Sequence, residues 1–375
     1  MLSYYDPVWI ALIFSLQLQE CACSNFTVGF ESVTKTFLSQ WLNPTDVLSV
    51  LLIIGGDVVQ KAVAQLSGGY LVPVTFSFGW ITYSFSALMA SFGDGKIMPA
   101  PDCQSIVINT NSGYVRENRS WVLGRILRDF EEDPCDSALR VVVFRAKSGP
   151  ATKDWIWYGG IATIVSQCII ALVPFVDHGN WVILVVTLVG TILALCDGAL
   201  PQWRSEKWAA RKRSRKTVAI TRGNGSQHVM IIIAGGQCCD LEDLAAARIH
   251  VQPFTRRLLV IFCLLRFMLL IVVAGLHQDA WYLLSIGSVG MAQNIIAASA
   301  RRTPSSHGLP LEKLNVIEGG KVMGVLKELE VRYPGAGSSL LRVFFPGPLR
   351  EDEKRWWQMR HMALDGQKPI RPQSA

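Results

Sequence analysis

The placement of Lys and Arg between long apolar runs limits this chain more than any other feature. Six runs stand out: Thr45–Leu66, Tyr70–Phe92, Trp155–Val176, Trp181–Trp203, Leu258–Leu276 and Ala280–Ala298. Each is about the length that crosses a hydrocarbon layer as a helix. Tight connections at Ser67–Gly69, Asp177–Asn180 and His277–Asp279 pair them into three hairpins, and none of these connections carries a Lys or Arg. The long connections hold almost all the positive charge. Arg204, Lys207, Arg211, Lys212, Arg213, Arg215 and Lys216 follow the fourth run, Arg256 and Arg257 precede the fifth, and Arg301 and Arg302 follow the sixth. Cytosolic loops carry such an excess of basic residues, so these segments and both termini are expected in the cytosol.

Composition agrees with a mixed architecture. The run Trp155–Val176 has 22 residues and no charge, yet 17% of the whole chain is charged. The expected fold is an α-helical integral membrane bundle of six spans in three hairpins. A cytosolic α+β domain, built from the long loops and the C-terminal tail, joins it. The expected divisions are an N-terminal amphipathic or interfacial segment (1–44), hairpin one (45–92), a cytosolic segment (93–154), hairpin two (155–203), a basic cytosolic segment (204–257), hairpin three (258–298) and a cytosolic tail (299–375). Pro7–Leu18 is too short to span and lacks a basic leader, so it reads as an interfacial helix. A seventh span within residues 7–30 remains the alternative.

Local patterns place elements in the long segments. Ser105–Asn109 reads as a strand, and Ser120 caps a helix from Trp121 to Glu132. Arg140–Arg145 reads as a buried strand. Thr217–Thr221 and His228–Ile233 flank Asn224-Gly225, which suits a hairpin turn with positive φ at both central residues. Asp240 caps a helix from Leu241 to Arg248. In the tail, Lys321–Tyr333 has a helical pattern, Leu340–Phe345 reads as a strand and Arg350–Met362 as a helix. A two-stranded hairpin alone is marginal, so strands from all three segments are expected to share one mixed sheet.

Candidate chemistry rests on ionisable residues at membrane depth. Asp57, Lys61 and Arg266 form the candidate intramembrane polar site. An unpaired charge there costs at least about 2.5 kcal/mol, so Asp57 is expected inside the bundle against Arg266 or Lys61. Such a pair serves either an ion path or helix register. Asp197, Gln293 and Asn294 read as interhelical hydrogen-bonding groups or a vestibule lining. Arg211, Lys212, Arg213, Arg215 and Lys216 are the candidate contact for anionic lipid headgroups or, more simply, an anchor for topology. No cofactor or metal site is expected: Cys21 and Cys23 lack a second ligand pair, and the turn residues Asp177, His178, His277 and Asp279 lack a shared rigid element. Gly223–Ser226 lacks the Lys of a phosphate loop. No catalytic constellation points to an enzyme, and the basic residues adjoin spans rather than suggesting nucleic acid.

Several strings occur together: Leu52–Lys61 (LIIGGDVVQK), Arg116–Trp121 (RENRSW), Thr221–His228 (TRGNGSQH) and Lys321–Met323 (KVM). With these, the chain resembles a group of uncharacterised multi-pass membrane proteins of filamentous fungi. The resemblance implies a fungal source and a membrane location, and carries no activity. Two functions stay open from the sequence. One is a membrane-tethered scaffold or regulator whose cytosolic domain binds a protein partner or lipid. The other is a small transporter or channel using Asp57, Lys61 and Arg266. A membrane-bound enzyme ranks third.

Overall fold

A computed structural model of the chain describes residues 54–69, 71–93, 95–131, 136–247, 251–276 and 278–365. The interfacial helix, the seventh-span alternative, the Cys21/Cys23 pair and residues 45–53 of the first run lie outside them. In chain order the elements begin with α1 (Gly56–Leu66), α2 (Trp80–Phe92), β1 (Ile106–Asn109), β2 (Val115–Glu117), α3 (Trp121–Glu131) and β3 (Leu139–Ala146). Next come α4 (Trp155–His178), α5 (Val182–Gly198), α6 (Pro201–Lys207), β4 (Thr217–Thr221), β5 (His228–Ile233) and α7 (Leu241–Ala246). The chain continues through α8 (Pro253–Ala274), α9 (Ala280–Ser299), β6 (Leu311–Gly319), α10 (Val322–Arg332), α11 (Ala336–Phe344) and α12 (Glu351–Asp365).

The protein is thus mixed helix and sheet. Three stretches, Trp155–Asp177, Val182–Lys207 and Pro253–Ala274, are long and apolar enough to cross a membrane. Their outer faces carry exposed Val165, Ile169, Val176, Ile192, Leu264 and Met268. An apolar surface of that kind requires a nonaqueous neighbour. Asp154 caps α4 by accepting from the Trp157 amide at 3.1 Å.

The first hairpin takes a different form from the expected pair of helices. Only 13 residues of the second run are helical, and Leu71–Ser77 before them is extended. Pro73 removes an amide and disfavours helix at Val72, and β-branched Val74 and Thr75 come next. Gly79, at φ 89°, turns the chain into α2. Contacts trace the path. The Leu71 carbonyl accepts from Trp157 near the start of α4. Val72 packs at Gly198, whereas Phe76 packs at Gly190, about 12 Å deeper along α5. The helix α2 then returns, and its last residue, Phe92, stacks under Arg256 at the start of α8. This segment therefore enters and leaves the bundle at one end. Ser67–Gly69 lies at that same basic end, since the Ser67 carbonyl accepts from Lys207 Nζ at 2.6 Å. It is not a turn on the opposite side.

One six-stranded sheet, ordered β2-β1-β4-β5-β3-β6, takes strands from all three long segments. β3 and β5 run parallel, with Val141 opposite Val229, and the other pairs are antiparallel. The pleat sends Val107, Val218, Ile220, Met230 and Ile232 toward α3, α7 and the bundle. Ile108, Val141, Ala219, Val229 and Ile231 face α10, α11 and α12. The β4–β5 turn differs in detail from expectation: Gly225 has φ 89°, Asn224 stays at negative φ, and the Ser226 amide donates to the Gly223 carbonyl at 3.1 Å. The wider loop accepts a type II geometry, which needs positive φ at one central residue only. Leu340–Phe345 is not a strand. Leu340 and Phe344 share the buried face of α11 with Ala336, at helical spacing.

Candidate functional site

The extended segment sits deep in the bundle, so each of its polar backbone groups needs a partner there. Asn294 on α9 supplies several. Its Oδ1 lies 3.3 Å from the Thr75 amide and accepts from Thr75 Oγ1 at 3.0 Å, while its Nδ2 donates to the Thr75 carbonyl at 3.1 Å and to Ser77 Oγ at 2.8 Å. Gln167 on α4 donates to the Phe76 carbonyl at 2.6 Å and to the Ile286 carbonyl at 2.8 Å. Trp80 Nε1 donates to the Thr75 carbonyl at 2.9 Å. Close approach depends on glycine: a Cβ at Gly160 would collide with the Pro73 carbonyl, one at Gly290 with the Phe76 carbonyl, and one at Gly287 with the Phe78 ring. Asn294, which the sequence offers as an interhelical hydrogen-bonding group or a vestibule lining, instead supplies this segment with hydrogen bonds that a helix would have made within itself.

Beside this segment lies the ion pair of the bundle. Arg266 on α8 meets Asp197 on α5 at 2.5 Å, donates to Ser84 Oγ at 2.6 Å and lies 4.4 Å above the Trp80 ring. Asp197 is fully buried and Arg266 is 3% exposed. The expected partner of Arg266 is Asp57, and the structure replaces it with Asp197. Asp57 is exposed in the first turn of α1, where a carboxylate complements the helix dipole. Lys61 is half-exposed and lies 3.8 Å from Asp102. The three candidate residues therefore do not converge. Sequence spacing favours Asp57 with Lys61, but α1 turns that face outward. The cavity lined by Arg266, Phe76 and Gly190 is about 10 Å³, room for one water at most.

At the basic end, the C-terminal ends of α1 and α9 meet four cations. Lys207 is 1% exposed and its Nζ donates to the carbonyls of Ala64, Gln65 and Ser67 at 2.9, 3.2 and 2.6 Å. Arg302 donates to the Gln65 carbonyl at 2.6 Å and grips Asp154 in two contacts of 2.6 and 3.0 Å. Arg125 donates to the Ala300 carbonyl at 2.9 Å and to Asp102 at 2.8 Å. Arg128 pairs with Asp129 at 2.8 Å and donates to the Ser299 carbonyl at 2.9 Å. Helix C-termini carry partial negative charge and unpaired carbonyls, so these cations complete both helices at once. Burial alone would raise the Asp154 carboxyl, but Arg302 outweighs it and holds the group below its ordinary range. His307 is buried against the edge of Trp121, and neither ring nitrogen has a hydrogen-bond partner. Burial first, then the charges of Lys207, Arg302 and Arg125, push its pKa well below 6.5.

This junction joins α1, α3, α4, α6 and α9, and the sequence does not reveal it. Nothing in a run of basic residues marks which of them turns inward. Of the candidate lipid contacts, Arg211 pairs with Asp240 at 3.2 Å and Asp243 at 3.3 Å, and Lys216 with Glu242 at 2.8 Å and Asp240 at 2.9 Å. Lys212, Arg213 and Arg215 remain exposed. The junction is a closed brace rather than a reaction centre, because its cations are occupied by carbonyls and carboxylates. No known protein family, curated protein or solved structure matches this chain.

Proposed function

We propose that this chain is a multi-pass membrane protein that holds an α+β domain rigidly against the cytosolic face of its bundle, as a membrane-tethered scaffold or regulator for a protein partner or lipid. The observation that carries this reading is the buried junction of Lys207, Arg302 and Arg125, which ties the sheet-packed α3 to the ends of α1 and α9. The basic ends of the apolar helices support a cytosolic location for that domain. The resemblance noted from the sequence supports a fungal source. Alkaline carbonate extraction of expressing cells tests the membrane part: the chain should remain in the pellet, and its release into the supernatant would reject integral insertion. Affinity purification from those membranes should then recover a stoichiometric partner that a Lys207→Met variant recovers poorly.

A second reading, a small transporter, draws on the unwound segment Leu71–Ser77. Unwound backbone inside a bundle is where transporters bind substrate. Its backbone groups are engaged by Asn294, Gln167 and Trp80, and the adjoining cavity is about 10 Å³, which favours the scaffold. A proton or ion flux in reconstituted liposomes, lost on Asn294→Leu but retained in Asn294→Gln, would reverse that preference.

A further inference from the structure

The expectation of two cytosolic termini counts every apolar run as a crossing, back from a cytosolic tail. The structure removes one of those crossings. Residues 71–92 enter and leave the bundle at its basic end, so they carry the chain to no other side. The direction from which the chain reaches α1 then decides the side of the N-terminal residues.

α1 runs beside α9 and in the same direction. At its C-terminal end Gln65 Nε2 donates to the Ala300 carbonyl at 3.3 Å, and Arg302 donates to the Gln65 carbonyl at 2.6 Å. At its N-terminal end a Cβ on Gly55 would meet the Met291 methyl, and one on Gly79 would meet the Gly55 carbonyl. Met291 lies about two turns before α9 ends at Ser299, which puts Gly55 about 12 Å inside the basic end. α1 is therefore half a crossing, from the middle of the bundle to its basic end. Gly55, at φ 91°, bends the chain at that level, and the bend by itself allows two exits: back to the basic end or on to the opposite one.

Three observations favour the opposite end. Residues 47–54 carry no charge, and residues 47–66 together have the length of one span. A second return through the bundle would need its own polar partners for the backbone, and Asn294 and Gln167 are committed to the first. Charge weighs most. Residues 1–53 contain one Lys, Lys35, and no Arg, whereas residues 204–216 at the sheet end contain seven basic residues. Segments poor in Lys and Arg are the ones that cross to the far side.

We propose that the chain before Gly55 leads to the end of the bundle opposite the sheet, so that residues 1–44 lie outside the cytosol and Asn25 is a site of N-linked glycosylation. Asn25-Phe26-Thr27 is an acceptor sequon. On that side it meets the oligosaccharyltransferase and its donor, a lipid-diphosphate-linked oligosaccharide. Asn25 Nδ2 bonds to the anomeric carbon of the first sugar, the lipid diphosphate leaves, and the amide proton goes to the enzyme. Asn118 and Asn224, on the sheet side, do not meet that donor. The inference rests on the membrane reading above.

The test uses the full chain, expressed in yeast with different epitope tags at its two ends and recovered in sealed microsomes. A deglycosidase should increase the mobility of wild type. N25Q should run at the deglycosylated position and respond no further, and N224Q should respond as wild type does. If N25Q lowers the yield, T27S against T27A decides: only the serine should retain the glycan. Added protease should destroy the C-terminal tag and spare the N-terminal tag until detergent is present. A wild type without a deglycosidase response, or a response that survives N25Q, would overturn the modification. Loss of both tags in sealed microsomes, from a chain that resists carbonate extraction, would overturn the sidedness and fail this inference alone. Protection of the C-terminal tag with loss of the N-terminal one would overturn the cytosolic placement of the sheet too, and release by carbonate would fail the membrane reading itself.

Discussion

Arg266 illustrates how a single buried charge constrains its surroundings. It is held by Asp197, Ser84 and the Trp80 ring. Breaking a buried pair by removing one partner typically costs about 3–5 kcal/mol, a large part of a domain's stability. Asp197→Asn should therefore lower the thermal midpoint in detergent sharply, and Arg266→Met likewise. The double replacement Asp197→Leu with Arg266→Met should recover most of that loss, because two apolar side chains leave no orphaned charge. Additive losses in the double variant would mean the two residues act separately. His307 makes a pH-dependent case. Its folded pKa lies well below its ordinary 6.5, through burial and then the charges of Lys207, Arg302, Arg125 and Arg128. Above that ordinary value neither the folded nor the unfolded chain binds the proton. As pH falls below it the unfolded chain takes up a proton that the folded one refuses, so stability drops by up to about 1.4 kcal/mol per pH unit until the folded pKa is reached. His307→Gln should flatten the dependence of the melting temperature between about pH 7 and 5, the range below the unfolded pKa. An unchanged slope would show that other groups carry it. Such residues are only partly legible in the sequence. Asp57 is conspicuous because it interrupts an apolar run, yet its face of α1 points outward, while Asp197, near a helix end, is the true counter-charge.

At the scale of elements, the Leu71–Ser77 segment depends on partners that lie more than two hundred residues away in the chain, at Gly290 and Asn294. Asn294→Leu removes partners from the Thr75 backbone and Ser77, and each buried group left unpaired costs about 1–3 kcal/mol. Amide hydrogen exchange across residues 71–78 should accelerate by at least about tenfold while α4 keeps its protection, on the scale of one such lost partner. Gly290→Ala should act the same way, since its Cβ would overlap the Phe76 carbonyl. Protection unchanged in both variants would mean that packing alone fixes the segment. This element is illegible in the sequence because Tyr70–Phe92 is uniformly apolar, and period cannot separate a helix from a buried extended run. Pro73 is the available signal. The same ambiguity explains Leu340–Phe345, whose short apolar run fits a strand or a buried helix equally. By contrast the edges of β4 and β5 coincide with the expected runs, because Arg222–Gln227 is polar and glycine-rich between two β-branched stretches. Asp240, with an acid three residues on, marks the start of α7 equally well. Those elements are specified locally, while the extended segment is specified by glycines on other helices.

At the scale of the whole molecule, the two ends of the bundle differ in charge, and that difference fixes a testable orientation. Lys153, Arg204, Arg257 and Arg301 lie at the end that carries the sheet, whereas the turns after α4 and α8 hold Asp177, His178, Asn180, Gln278 and Asp279 and no Lys or Arg, with Asn180 donating to Asp279 at 2.9 Å. The re-entrant path of Leu71–Phe92 matters here, because a segment that enters and leaves at one end does not invert the helices after it. Charge, and not a count of apolar runs, is then the better guide to sidedness. Two sequons lie in the sheet region, and the structure makes them unequal as probes. Asn118 is buried, donating to Ser105 Oγ at 3.0 Å, so it would refuse a glycan on either side once folded. Asn224 is exposed at the tip of the β4–β5 turn and is followed by Gly225 and Ser226. If the sheet region is cytosolic, Asn224 never meets the glycosylation machinery and Asn224→Gln leaves the response to a deglycosidase unchanged. A deglycosidase-sensitive shift that Asn224→Gln abolishes would place the sheet on the lumenal side. A PEG-maleimide reaction at an Asn224→Cys variant gives the complementary measurement in sealed, right-side-out cells: the cysteine should be protected until the membrane is permeabilised. Labelling of intact cells would reverse the orientation.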